Sequence, residues 1–357
     1  MAVDGRLRHR RLPVLSRLQP DHPGLEVRSR RRLRASLHPR ARAPARQDRP
    51  RALGRPRGLR PRLPRADRGP QGGAGGRARG LRRHQAQRSL RPCSLARRRV
   101  RPMPTLAVLS MKGGVGKTTV ALGLASAAWN RHWRTLVIDL DPQANASMGL
   151  GILDPALTVG DALADGRPGV AAEAVVPSTW GRQVDVLPAE PALEHRVSEA
   201  APGSEQRLRT VLAGVGHRYD LVVVDCPPSL GEMSRNALHA ASQAAVVTEP
   251  GYFALRGAQQ AIEAIDLVRT EGNRTLQRPA LVLNRVRGTV AEHRQRIAEL
   301  REAFGSQVSE IEIPERNAIG QAEAAGMPIH AWDSPAGREL STLFDSLLDR
   351  LVPGGLR

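Results

Sequence analysis

From residue 103 onward, short and mostly apolar runs alternate with longer stretches in which apolar residues recur every three or four positions. The runs lie at 106–110, 135–139, 184–188, 221–225, 244–248 and 280–284, each mostly apolar, with polar residues chiefly at the ends and Asp185 inside the third. That pattern predicts strands covered on both faces, as in a parallel sheet. Helical spacing appears at 118–129, 206–215, 234–241, 255–269 and 290–304. A last stripe, Leu340, Leu343, Phe344, Leu347, Leu348 and Leu351, predicts a helix over 337–351 with one apolar face. Strands alternating with helices imply a doubly wound α/β domain over 103–357.

Residues 1–102 break this pattern. They contain no Phe, Tyr, Trp, Ile, Lys, Asn or Thr, yet carry 12 prolines and 10 glycines. A segment this poor in large apolar residues cannot offset the entropy of ordering it, so it reads as disordered. Three origins stay open: an arginine-rich nucleic-acid tail, a linker, or an upstream GC-rich region translated from too early a start. On the last reading Met103, which opens the first strand, is the initiator.

Charge divides at the same place. Residues 1–102 hold 31 of the 55 basic and 5 of the 34 acidic residues, so the formal +21 of the whole chain is not a property of residues 103–357, which net −5. Nucleic-acid binding by the folded part therefore cannot rest on net charge. Lysine occurs at two positions only, Lys112 and Lys117; every other cation is arginine. Arginine and lysine differ at phosphate sites, and both lysines fall in one glycine-rich stretch. Two cysteines, Cys93 and Cys226, exclude a disulfide framework. The arginines Arg10 and Arg11 precede no apolar core, and no apolar run is long enough to span a bilayer, which together predict a cytoplasmic protein.

The stretch is Lys112-Gly113-Gly114-Val115-Gly116-Lys117-Thr118-Thr119, between the first strand and the first helix. Glycines allow the backbone to wrap a phosphate with its N–H groups turned inward, and the helix start adds a positive dipole end. Lys117 then meets the β- and γ-phosphates, and the Thr118 hydroxyl meets Mg²⁺. The general pattern G-x-x-x-x-G-K-[ST] wants glycine where this chain has Met111, so the loop is a variant, with Lys112 at its head.

KGGVGKTT resembles the deviant Walker A motif of the ParA/Soj/MinD ATPases, and the resemblance extends to the last helix. It implies ATP and Mg²⁺ as cofactors, with Gly113, Gly114, Val115, Gly116, Lys117, Thr118 and Thr119 around the phosphates. It also implies an ATP-dependent homodimer in which Lys112 reaches the partner's nucleotide. A cation delivered in trans stabilises transition-state charge only when two loaded copies meet, which couples dimerisation to hydrolysis. The run from Leu136 to Asn145, LVIDLDPQAN, is similar to the family's first switch; by resemblance Asp141 orients the attacking water and Asp139 lies near the metal. The segment 219–229, YDLVVVDCPPS, reads as a Walker B strand with Asp225 beside the metal and Cys226 as packing. Asn284, ending the sixth run, corresponds to an asparagine that hydrogen-bonds adenine in relatives. Residues 249–257 resemble one later family segment, and 313–316 followed by 324–329 resemble the loop over the base.

The family's members work on different surfaces, so the fold leaves the function open. The resemblance points to a slow, partner-stimulated ATPase of plasmid or chromosome partition, with non-specific DNA binding in the ATP state, a ParB-type partner and nucleoid association. Candidate DNA contacts are Arg256, Arg285, Arg287, Arg294, Arg296, Arg301 and Arg316. The alternatives are a MinD-like or other positioning ATPase that recruits a protein cargo without DNA, and an accessory ATPase of another enzyme. The last helix sets Glu339, Asp345 and Asp349 opposite its leucines, unlike the basic polar face of a membrane-surface helix, which argues against a membrane partner.

Overall fold

The computed structural model describes residues 104–193 and 203–353. The expectations for residues 1–102, and Met103 as a strand opening, lie outside the described residues. Eight strands form one sheet: β1 (Thr105–Leu109), β2 (Thr135–Asp139), β3 (Val176–Pro177), β4 (Val184–Leu187), β5 (Leu221–Asp225), β6 (Gln243–Thr248), β7 (Ala280–Val286) and β8 (Val308–Pro314). Their order is β3-β4-β2-β5-β1-β6-β7-β8, and every neighbouring pair is parallel except β3 on β4. All six runs read from the sequence are strands of this sheet.

Ten helices flank the sheet among the described residues: α1 (Lys117–Asn130), α2 (Asn145–Gly149), α3 (Val159–Asp165), α4 (Ala171–Ala174), α5 (Arg207–Val211), α6 (Glu232–Ala240), α7 (Ala254–Glu271), α8 (Ala291–Phe304), α9 (Asn317–Ala324) and α10 (Pro335–Leu351). Strand alternation feeds the two layers. Ala107 and Leu109 of β1 join the core under α6, α7 and α8, whereas Leu106 and Val108 join the core under α1, α9 and α10. Residues of β1 and β5 are buried throughout, which explains their unbroken apolar sequence. The leucine stripe of α10, with Phe344, packs against α1 and β8, so its own domain covers that face. Among the described residues no helix is long and apolar enough to cross a membrane.

Strand β3 and helices α2, α3, α4 and α9 have no counterpart among the runs read from the sequence, and two further elements depart from expectation. The stretch read as a helix over 206–215 is α-helical only over α5, with 3-10 turns at Ser204–Gln206 and Gly216–Arg218 on either side, and Gly214 at φ +74° keeps the intervening turn from continuing as helix. Strand β8 was not anticipated, since it alternates apolar with acidic residues. It forms the sheet edge, where one flank stays open to solvent and a continuous apolar run is not required.

Candidate functional site

The chain leaves β1 in the middle of the sheet and enters α1 after a seven-residue loop. β1 lies between β5 and β6, so the loop sits at the carboxyl end of the sheet, where open α/β sheets bind ligands. Gly114 and Gly116 take φ +80° and +84°, conformations that side chains oppose. A Cβ on Gly116 would stand 2.3 Å from Asn284 Nδ2, so glycine is required there on space as well. The loop and the first turn of α1 border a cavity of about 590 Å³. The first amides of a helix lack intrahelical acceptors, which makes this mouth an anion site.

The two lysines part company. Lys117 is buried and lines this cavity. Lys112 is exposed and instead borders a neighbouring groove of about 480 Å³, formed with the Glu249–Phe253 turn and the start of α7. Tyr252 and Phe253 stand exposed in that groove, edge to face at 4.9 Å, with the Arg296 guanidinium 5.5 Å from the Tyr252 ring centre.

Of three aspartates near the loop, Asp141 lines the cavity, whereas Asp225 and Asp139 are buried behind it. Thr118 Oγ1 donates to Asp225 Oδ2 at 2.7 Å, and the buried Asp225 Oδ1 has no partner among the described residues. Burial, and then the charge of Asp139, push the Asp225 carboxyl well above the usual range. Asp139, expected beside the metal, stands one layer back. Its Oδ2 accepts from the Ser147 amide and hydroxyl, both at 2.8 Å, and its Oδ1 accepts from the Asp141 amide at 3.1 Å. Burial pushes Asp139 up to about 6. Both oxygens being occupied, Asp139 braces the 141–147 turn, and this turn presents Asp141 at the cavity wall. Asp141 in turn accepts from the Gln143 amide at 3.0 Å.

Among the described residues no group of three or more His, Cys, Asp or Glu side chains converges as a metal cage. The Thr118 hydroxyl and the half-satisfied Asp225 instead fit a hard cation that arrives with phosphate oxygens and keeps its waters, as Mg²⁺ does. ATP and Mg²⁺ are the cofactors for which this donor set is built.

Elsewhere the structure rearranges expectations. The Asn284 side chain lies under the loop, its Nδ2 donating to the Val115 carbonyl at 2.8 Å. Thr119 Oγ1 donates to Glu323 Oε1 at 3.2 Å, and Arg285, with φ +54°, lines the cavity. Ser147 and Glu323 carried no motif, and nothing local in the sequence could have found them; Arg285, read as a DNA contact, lies instead on this cavity. Of the seven arginines proposed for DNA, four are paired: Arg287 with Glu315, Arg296 with Glu299 at 2.8 Å, Arg301 with Glu312 at 2.7 Å and Arg316 with Glu339 at 3.0 Å. Arg294 donates to the Gly288 carbonyl at 2.6 Å. Arg256 borders the groove of Lys112.

Residues 103–278 match the family model described as "AAA domain". The chain is 34% identical over 232 residues to the chromosome partitioning protein ParA of Myxococcus xanthus, covering 64% of this chain and 81% of that protein. It is 32% identical over 244 residues to the sporulation initiation inhibitor protein Soj of Bacillus subtilis, covering 67% and 95%. Among solved structures, cobyrinic acid a,c-diamide synthase of Mycobacterium smegmatis with bound ADP and magnesium superposes with a TM-score of 0.59 at 26% identity, over 71% of this chain and 96% of that one. The cell division ATPase MinD of Pyrococcus furiosus does so at 0.56 and 26%, over 68% and 98%. With its phosphate loop, buried lysine and Walker B carboxylate in place, this chain belongs to the ParA/Soj/MinD family of P-loop ATPases.

Proposed function

We propose that residues 103–357 form an ATP-driven switch of the partition type. In this reading the monomer binds ATP, two loaded copies dimerise through the face bearing Lys112, and the dimer binds DNA without sequence preference. A ParB-type partner stimulates a slow hydrolysis that releases it. The observation that carries the proposal is the divergence of the two lysines. Lys117 is committed to its own cavity, whereas Lys112 heads the same loop yet stands exposed over a groove with two exposed aromatic rings. An exposed cation beside exposed aromatic surface suits delivery to a second copy.

The roles of the other residues follow from their positions. Backbone N–H groups of 113–116 and the Lys117 ammonium hold the phosphates, and Thr118 with Asp225 hold the cation. Mg²⁺, when bound, neutralises phosphate charge. Asp141, fixed by Asp139 and Gln143, orients the attacking water. Relatives named for chromosome partitioning and sporulation control support a partition role in the cytoplasm at the nucleoid. A second reading, an ATP dimer that positions a protein cargo without DNA, draws support from the four neutralised arginines.

The test is DNA binding by the full chain and by residues 103–357, with and without a non-hydrolysable ATP analogue, across a salt series. Binding by residues 103–357 that needs the analogue and falls steeply with salt supports partition. Binding by neither protein at low salt overturns the DNA step and favours the cargo reading.

A further inference from the structure

Ser126 of α1, His330 of the turn after α9 and Asp345 of α10 meet inside the domain, and none of them lines the cavities described above. Ser126 Oγ stands 2.7 Å from His330 Nδ1 and accepts from the His330 backbone N–H at 3.2 Å. The ring Nε2 is buried and has no hydrogen-bond partner among the described residues. It faces Asp345 Oδ2 at 3.6 Å, and Arg131 lies 3.4 Å from that carboxylate. With its proton on Nε2, toward the carboxylate, the ring accepts the Ser126 hydroxyl at Nδ1. Burial lowers the His330 pKa, which keeps the ring neutral and able to accept. The order Ser–His–Asp is that of a hydrolase relay, but Ser126 is fully buried and no substrate reaches it. The group therefore serves position.

A second contact identifies the segment it positions. Thr119 Oγ1 donates to Glu323 Oε1 at 3.2 Å, and both this pair and Ser126–His330 join residues 204 positions apart. Thr119 and Ser126 lie about two turns apart on one face of α1. Residues 323–330 are thus strapped to that helix in register at both ends. Between the straps the chain leaves α9 and turns at Gly326, with φ +62°. Glu323 borders the phosphate cavity. A further cavity of about 470 Å³ adjoins it, sharing Thr119, Arg285 and Glu323 but no residue of 112–118. A carboxylate repels phosphate, so this wall faces the part of a nucleotide that extends beyond its phosphates.

We infer that the Ser126–His330 pair is a positioning device for the outer wall of the nucleotide cavity, residues 323–329, and sets affinity for the nucleoside part of ATP without touching the phosphate loop. The inference rests on the ATP-binding reading above.

Titration calorimetry tests it with ATP and with inorganic tripolyphosphate, each with Mg²⁺, on the wild-type chain and on Ser126→Ala, His330→Leu and His330→Asn. Ser126→Ala removes both hydrogen bonds and keeps a good helix former in α1. Ser126→Ala and His330→Leu should each bind ATP about 3- to 10-fold more weakly, the net worth of one buried hydrogen bond, with tripolyphosphate affinity unchanged. His330→Asn keeps an acceptor at the δ position and should recover most of the ATP affinity. If Ser126→Ala fails to fold, the contrast between His330→Asn and His330→Leu decides. Equal weakening of both ligands marks a merely structural pair and overturns the inference. Unchanged ATP affinity overturns it as well, as does equal loss in His330→Asn and His330→Leu. Failure of the wild type to bind either ligand overturns the ATP-binding reading itself, and the inference with it.

Discussion

Two lysines five positions apart, in a chain with no others, set the residue-scale chemistry. Lys117→Ala removes the ammonium buried in the phosphate cavity. It should weaken ATP binding by about 10- to 100-fold, the worth of one charged hydrogen bond, measured by titration calorimetry. Lys112→Ala should leave monomer affinity for ATP near wild type while abolishing the analogue-induced dimer in sedimentation velocity. A dimer that survives this substitution removes Lys112 from any trans role. Asp139 supplies a pH dependence. Its carboxyl stands at about 6 in the folded chain, against an ordinary 3.8, chiefly through burial. The folded state thus holds this proton more tightly than the unfolded one. Its contribution is complete below about pH 4 and lost as pH rises through about 6, a change of about 3 kcal/mol. Asp225 acts with the same sign. Denaturant unfolding of the nucleotide-free chain should show stability falling over this window. Asp139→Asn should flatten that slope, and an unchanged slope refutes the assignment.

At the scale of elements, the close approach of α1 and α10 ties the phosphate loop to the last helix. A Cβ on Gly123 of α1 would stand 2.2 Å from the Phe344 ring of α10. Phe344 is fully buried and cannot swing to solvent. Alanine favours helices over glycine by up to about 1 kcal/mol. Overpacking typically costs about 1–3 kcal/mol, so Gly123→Ala should still lower stability. Adding Phe344→Leu should return part of that loss in a double-mutant cycle, and strict additivity would show that the two helices do not meet as described. The α10 stripe was legible because six apolar residues share one 3.6-residue period. Its partner was not legible, since α1 is hydrophobic around most of its circumference and marks no preferred face. Strand β8 escaped for the opposite reason: an edge strand hides its apolar residues among acidic ones.

For the whole molecule, the decisive quantity is how its arginines are matched. Residues 103–357 carry a small net negative charge, and four of the seven arginines considered for DNA already face glutamates. A dimer that meets DNA on the α8–β8 face would need those pairs to exchange glutamate for phosphate. Glu312→Gln frees Arg301 in both copies. It should strengthen analogue-dependent DNA binding and steepen the log–log salt slope by about 2 per dimer, near 0.9 for each freed cation. An unchanged slope would move the DNA surface away from this face.

The phosphate loop, the six buried strands and their alternation with helices were determined by sequence alone. Each is a local matter: glycines at fixed spacing permit one loop, and an unbroken apolar run is stable only inside a sheet covered on both faces. The tertiary structure decided which side chain serves which site. Thr118 meets Asp225 across 107 residues, and Asn284 meets Val115 across 169. Asp139 proves to be a brace because Ser147 folds back onto it, and arginines that read as a basic cluster are neutralised by carboxylates from other elements. Hydrogen bonds and ion pairs act over a few ångströms, so partners distant in sequence are chosen only once the sheet has brought them together.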